Sequence, residues 1–141
     1  APVYGNGGRG RVLRNAVAAG DPVTRTDFQF VHALDDLLGR PTNPRFALAY
    51  TITTREVFAG AVENVGDTRV QVFGTLEFTL TDSVSGLPVA QGEVTGNTAY
   101  STTGTQLATL TAEEDAELRL MRMLAESLVT RLYTEPGIPT A

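Results

Sequence analysis

The chain has no cysteine, no tryptophan and no lysine, and it carries one histidine. Each absence removes a class of chemistry. Without cysteine, these 141 residues offer no thiol nucleophile, no disulfide and no thiolate metal ligand. Without lysine there is no phosphate-loop lysine and no Schiff base. All eleven basic residues are arginine, and they are outnumbered by sixteen acids, for a net charge of −5. Nucleic acid attracts a positive field, so it is not an expected partner. A single imidazole cannot build a multi-histidine zinc site. No apolar run approaches the ~20 residues that span a bilayer. The chain begins Ala1-Pro2-Val3-Tyr4 with no signal-peptide pattern, the start expected of a trimmed or mature product. The cysteine count leaves the redox compartment open.

What is present reads as one domain, 1–141, with enough apolar residues (42%) for a real core. Residues 1–11 are glycine-rich and polar around Gly5-Asn6-Gly7-Gly8-Arg9-Gly10-Arg11, which predicts a flexible tail rather than a phosphate loop. A second flexible tail is expected over 137–141. Val12 to Ala19 alternates weakly, as a short edge strand would. Thr24-Arg25-Thr26-Asp27 has capping-box spacing and opens a helix whose stripe is Phe30, Val31, Leu34, Leu37 and Leu38. Gly39, Pro41 and Pro44 end it.

Three strands follow. From Phe46 the period becomes two, with Phe46, Leu48, Tyr50 and Ile52 on one face. Residues 60–68 carry turn signals. Val70, Val72, Leu76, Phe78 and Leu80 then oppose Arg69, Gln71, Thr75, Glu77, Thr79 and Thr81, with Gly74 marking a bulge or a close backbone approach. The turn at 82–88 leads to a third strand, about Val89 to Tyr100. A second capping box, Thr111-Ala112-Glu113-Glu114, is expected to open the longest helix and to set Glu113, Glu114, Asp115 and Glu117 against its positive end. Its stripe is Met121, Leu124, Ala125, Leu128, Val129 and Leu132, and Arg122 with Glu126 has ion-pair spacing. The fold class predicted is α+β: two layers, with two helices on one face of a small, mostly antiparallel four-stranded sheet, in the order β-α-β-β-β-α.

Candidate chemistry is thin. His32 points away from the Phe30 side of its helix and has no positioned partner. Asp35 and Asp36 are adjacent and diverge by roughly 100°. The serines have no nucleophile elbow. No catalytic residue, metal ligand or cofactor is predicted. Arg55 and Arg69 close one strand and open the next, so an antiparallel pair sets both at one end of the sheet. They are the candidate ligand-binding residues, because guanidinium groups suit phosphate or carboxylate.

Four stretches carry a resemblance to a known family: Ala1-Pro2-Val3-Tyr4-Gly5; Leu34 to Arg40; Phe46 to Glu56; and Leu80-Thr81-Asp82 through Gly86, Val89 and Ala99-Tyr100-Ser101 to Ala112–Ala116. In their order and spacing the chain resembles LptE, the lipopolysaccharide-assembly lipoprotein of Gram-negative outer membranes, in an alphaproteobacterial form. The resemblance implies a non-enzymatic protein at the periplasmic face of the outer membrane. It would plug and help assemble an LptD-like β-barrel, and bind lipopolysaccharide. It would be anchored through a lipid on a cysteine just upstream of Ala1, absent from this chain. Arg55 and Arg69 would then meet lipopolysaccharide phosphates; their assignment comes from strand-end position, not from a family motif. The alternative expectation is a periplasmic module that binds a small amphiphile in a cleft between helices and sheet. A hydrolase is the weakest rival, for want of a nucleophile and base.

Overall fold

A computed structural model of the chain describes residues 8–59, 68–102 and 105–139. The start of the glycine-rich segment, the connection at 60–67, Thr103-Gly104 and the last two residues lie outside them. The elements run α1 (Arg9–Leu13), β1 (Val17–Ala19), α2 (Arg25–Leu38), β2 (Phe46–Ala59), β3 (Thr68–Asp82), β4 (Pro88–Thr102) and α3 (Gln106–Tyr133). The sheet order is β1-β2-β3-β4, with β1 parallel to β2 and the other pairs antiparallel. This is the expected two-layer α+β arrangement, with one helix added at the front.

That added helix shortens the expected edge strand. Val12 and Leu13 belong to α1, where Leu13 is fully buried, and only Val17–Ala19 pair with β2. Arg9 donates through Nε to the Ile138 carbonyl at 3.1 Å, and Ile138 is 1% exposed. So both segments expected to be loose have packed portions. The reason lies in tertiary contact, which local composition does not encode: Arg9 of α1 donates to the Tyr133 and Ile138 carbonyls, and Leu13 and Ile138 are both buried in the core.

α2 begins at the capping box the sequence spells. The Thr24 hydroxyl accepts from the Asp27 N–H, and the Asp27 carboxylate accepts from the Thr24 N–H. Gly39 closes it at φ 82°, where its N–H donates to the Asp35 carbonyl. Phe30, Leu34 and Leu38 are buried.

α3 departs from expectation. It starts at Gln106, capped by the Thr105 hydroxyl accepting from the Ala108 N–H, and not at Thr111. Leu107, Ala108 and Leu110 are good helix formers, so the helix propagates past the later box toward an earlier cap. Glu113, Glu114 and Glu117 therefore sit beyond the first turn. Arg25 of α2 binds Glu114 and Glu117 at 3.3 and 2.9 Å, which ties the two helices together. The i,i+4 ion pairs that form along it are Asp115–Arg119 and, reaching past its end, Arg131–Glu135, and not the expected Arg122–Glu126.

The core lies between sheet and helices. In the register, Gly74 of β3 stands opposite Gly96 of β4. Together they leave a notch that Leu120 fills: a Cβ on Gly74 would come within 2.9 Å of Leu120 Cδ2. Gly74 thus serves a close helix approach, and the β2–β3 register runs without a bulge from Phe46 to Ala59. Thr98, buried, donates its hydroxyl to the Ala116 carbonyl at 3.0 Å and fixes α3 on β4.

Candidate functional site

The face of the sheet away from the helices is polar and built in rows. Thr53, Thr75 and Thr95 align straight across three strands; Thr51, Glu77 and Glu93 form the next row, and Ala49, Thr79 and Gln91 the one after. Alternation places these side chains on the solvent face because their neighbours Ile52, Leu76 and Val94 point into the core.

Arg55 and Arg69 lie at one end of this same face. Arg55 is opposite Phe73 and stacks over its ring, with the guanidinium carbon 4.8 Å from the centroid. Arg69 is opposite Ala59 on one side and Ser101 on the other, and it is exposed. The structure brings the two to one end of one face, as expected, but not to one point. Phe73 is four residues from Arg69 along β3, about 13 Å at the rise of a strand. The pair suits two anionic groups of one large ligand better than a single phosphate.

Sequence reasoning missed a second polar group at this end of the sheet, on the helix side. Glu56 Oε2 accepts from the Tyr100 hydroxyl at 3.1 Å, and Glu113 of α3 stands close enough to donate to Glu56 when it is protonated. Burial pushes the Glu113 carboxyl above its ordinary range, helped by that bond and by the charges of Glu56 and Glu117, while Arg25 opposes. Tyr100 is pushed up to about 12, by burial first and by Glu56 next. The available signal was parity: Glu56 falls on the apolar side of β2's alternation.

His32 is exposed, 3.6 Å from Asp36. Among the described residues no group of three or more histidine, aspartate or glutamate side chains is arranged to hold a metal ion. A shallow cleft of about 490 Å³ lies between α2 and α3, lined by Arg25, Gln29, Thr111, Glu114, Asp115 and Leu118. It is a surface cleft between helices with three charged residues in its wall, and not an apolar chamber between helices and sheet.

Comparison with known proteins agrees with this architecture. A crystal structure of a lipoprotein from Caulobacter crescentus superposes with a TM-score of 0.72 at 18% identity, covering 89% of this chain and 93% of that one. A minor lipoprotein of Acinetobacter baumannii gives 0.58 at 15% identity over 89% and 95%, and rare lipoprotein B of Shewanella oneidensis gives 0.51 at 13% over 83% and 91%. At such identities the likeness is one of fold. No curated protein sequence matches the chain. A family model described as LptE, lipopolysaccharide-assembly, matches residues 14–132, nearly the whole of the described fold. The chain belongs to the LptE family, whose members are non-enzymatic lipoproteins of lipopolysaccharide assembly at the outer membrane.

Proposed function

We propose that the chain acts as plug and folding partner of an LptD-like outer-membrane β-barrel and helps lipopolysaccharide reach the cell surface. A lipid on a cysteine upstream of Ala1 would hold it to the membrane. The observation that carries this reading is the division of the molecule into a packed apolar interior and a threonine-rich outer sheet face. A polar exterior suits the wet lumen of a large barrel, whose inward-facing side chains are polar as well. A net charge of −5 favours a lumen with basic lining. Arg55 and Arg69, at one end of that face, are the proposed contacts for lipopolysaccharide phosphates.

Co-expression with the candidate barrel protein, followed by a tagged pull-down, tests the docking. The expected result is a stable complex and a higher yield of folded barrel. A folded chain that fails to co-purify contradicts the reading and favours the amphiphile-binding module. Replacing Arg55 and Arg69 together by Glu should weaken lipopolysaccharide binding while the fold is kept. Unchanged affinity removes these two residues from the site and leaves the docking reading intact.

A further inference from the structure

Among the described residues, the edge of β2 away from β3 is unpaired over nine residues, 50–58. β1 pairs with β2 only at Phe46, Ala47 and Leu48. There the Phe46 N–H donates to the Ala16 carbonyl and the Gly20 N–H donates to the Leu48 carbonyl. Those bonds identify the even-numbered residues of β2 as the ones whose main-chain groups face away from β3. Alternation carries the same direction to Tyr50, Ile52, Thr54, Glu56 and Phe58. Among the described residues, no main-chain partner meets these five on that side. The segment Tyr50-Thr51-Ile52-Thr53-Thr54-Arg55-Glu56-Val57-Phe58 is rich in aromatic and β-branched residues and has no proline. It also lacks the bulge that blunts many natural edges, and Phe58 leaves 63% of its surface exposed beside it.

We propose that this edge pairs antiparallel with the same edge of a second copy of the chain, about a two-fold axis at Thr54. The inference goes beyond barrel docking and does not depend on it. Charge and β1 together select the register. Centring on Arg55 sets two arginines directly opposite, and centring on Glu56 does the same with two carboxylates, both unfavourable. Centring on Thr53 or Ile52 drives Phe58 onto Leu48 or Phe46, positions that β1 already occupies. Centring on Thr54 pairs Tyr50 with Phe58, Ile52 with Glu56 and Thr54 with its twin, so that every open main-chain group is used. On the outer face Arg55 then meets Thr53. Pairing stops at both ends where β1 of each copy begins. The product is one continuous sheet with the helices of both copies on the same side. Strand pairing alone buries less than the ~1,600 Å² of a standard stable interface, so the dimer is a weak, reversible one.

Sedimentation velocity on the full chain, from low micromolar to submillimolar concentration, is expected to show a reversible monomer–dimer equilibrium. Thr54→Pro removes a central donor without touching the β3 ladder, and Thr54→Lys sets two ammonium groups opposite one another. Each should weaken the dimer at least tenfold with an unchanged circular dichroism spectrum. Should the proline disturb the strand, the lysine variant carries the test alone. For the register, Thr54→Cys supplies the only thiol in the chain and should oxidise to a covalent dimer, whereas Val57→Cys, which faces Thr51 of the other copy, should not. A chain that stays monomeric throughout overturns the proposal, also if the edge takes a strand from another protein. So does a dimer indifferent to Thr54→Lys, or cross-linking as efficient at position 57 as at 54.

Discussion

The two edges of the sheet are managed in different ways. On β4, Arg131 of α3 donates to the carbonyls of Gln91 and Glu93 at 3.5 and 3.4 Å, and Arg119 donates to that of Ala99 at 3.4 Å. The register of β4 against β3 shifts between Leu80 and Thr81, and Pro88 begins the strand. Charge, an irregular register and proline are the usual means of discouraging edge-to-edge pairing. Past Leu48, β2 has no proline and no irregularity of register, and its two charges, Arg55 and Glu56, are adjacent and of opposite sign. The difference follows from helix length. At 28 residues α3 runs far enough along the sheet for its arginines to reach down to β4 at two places. At 14 residues α2 meets β2 through the rings of Phe30 and Tyr50, 5.2 Å apart. A sheet of long strands covered by one long and one short helix has one guarded side and one open side.

The largest expected effect concerns how firmly α3 is held on the β3–β4 half. Leu120 is fully buried in the notch at Gly74 and Gly96, so Leu120→Ala should cost about 2–5 kcal/mol in denaturant unfolding. Its counterpart at the open edge, Thr54→Ala in dilute solution, should stay within about 0.5 kcal/mol. Equal costs would erase the contrast between the two halves.

A smaller effect is expected from Arg131→Ala. The substitution removes the cover of two edge carbonyls and a guanidinium placed 5.7 Å from the Phe78 ring centroid. Stability should fall by about 1 kcal/mol, the scale of a partly exposed cation–π contact. The sharper sign is association: light scattering should show more self-association than the parent at the same concentration, because the guarded edge has been opened.

The smallest effect is a pH dependence at the far end of β2. The Glu113 carboxyl binds its proton more tightly in the folded chain than its ordinary value of 4.5 implies, through burial and the hydrogen bond to Glu56. Its stabilising contribution is therefore complete below 4.5 and is lost as pH rises through the folded value. Glu113→Gln keeps the shape and removes the charge. It should raise the melting temperature at neutral pH by an amount worth at most about 1 kcal/mol. The gain should vanish in acid; a gain that persisted there would assign the effect to something other than the carboxylate pair.

The features legible in the sequence were those that local chemistry decides. The Thr24–Asp27 box, the Gly39 stop and the faces of β2 and β3 all follow from spacing within a few residues, whereas Gly74 left a bulge and a close approach both open, and only Leu120 in the notch decides between them. The start of α3 was misplaced because two capping signals compete, and leucines between them let the helix run to the earlier one. The packing of Arg9 against Ile138, and of Glu56 with Tyr100 and Glu113, joins residues far apart in the chain, so no window of sequence displays it. Arg55 and Arg69 were legible as neighbours at one end of the sheet, yet their separation along β3 depended on the register, which only the paired strands define.

Amide hydrogen exchange along β2, read residue by residue in dilute solution, tests the open edge most directly. The Thr51, Thr53, Arg55 and Val57 amides face β3 and should exchange slowly, while those of Ile52, Thr54, Glu56 and Phe58 face outward and should exchange fast. Raising the concentration should protect the second set alone. Uniform slow exchange along β2 in dilute solution would contradict the account, because the edge would then be covered within the single chain.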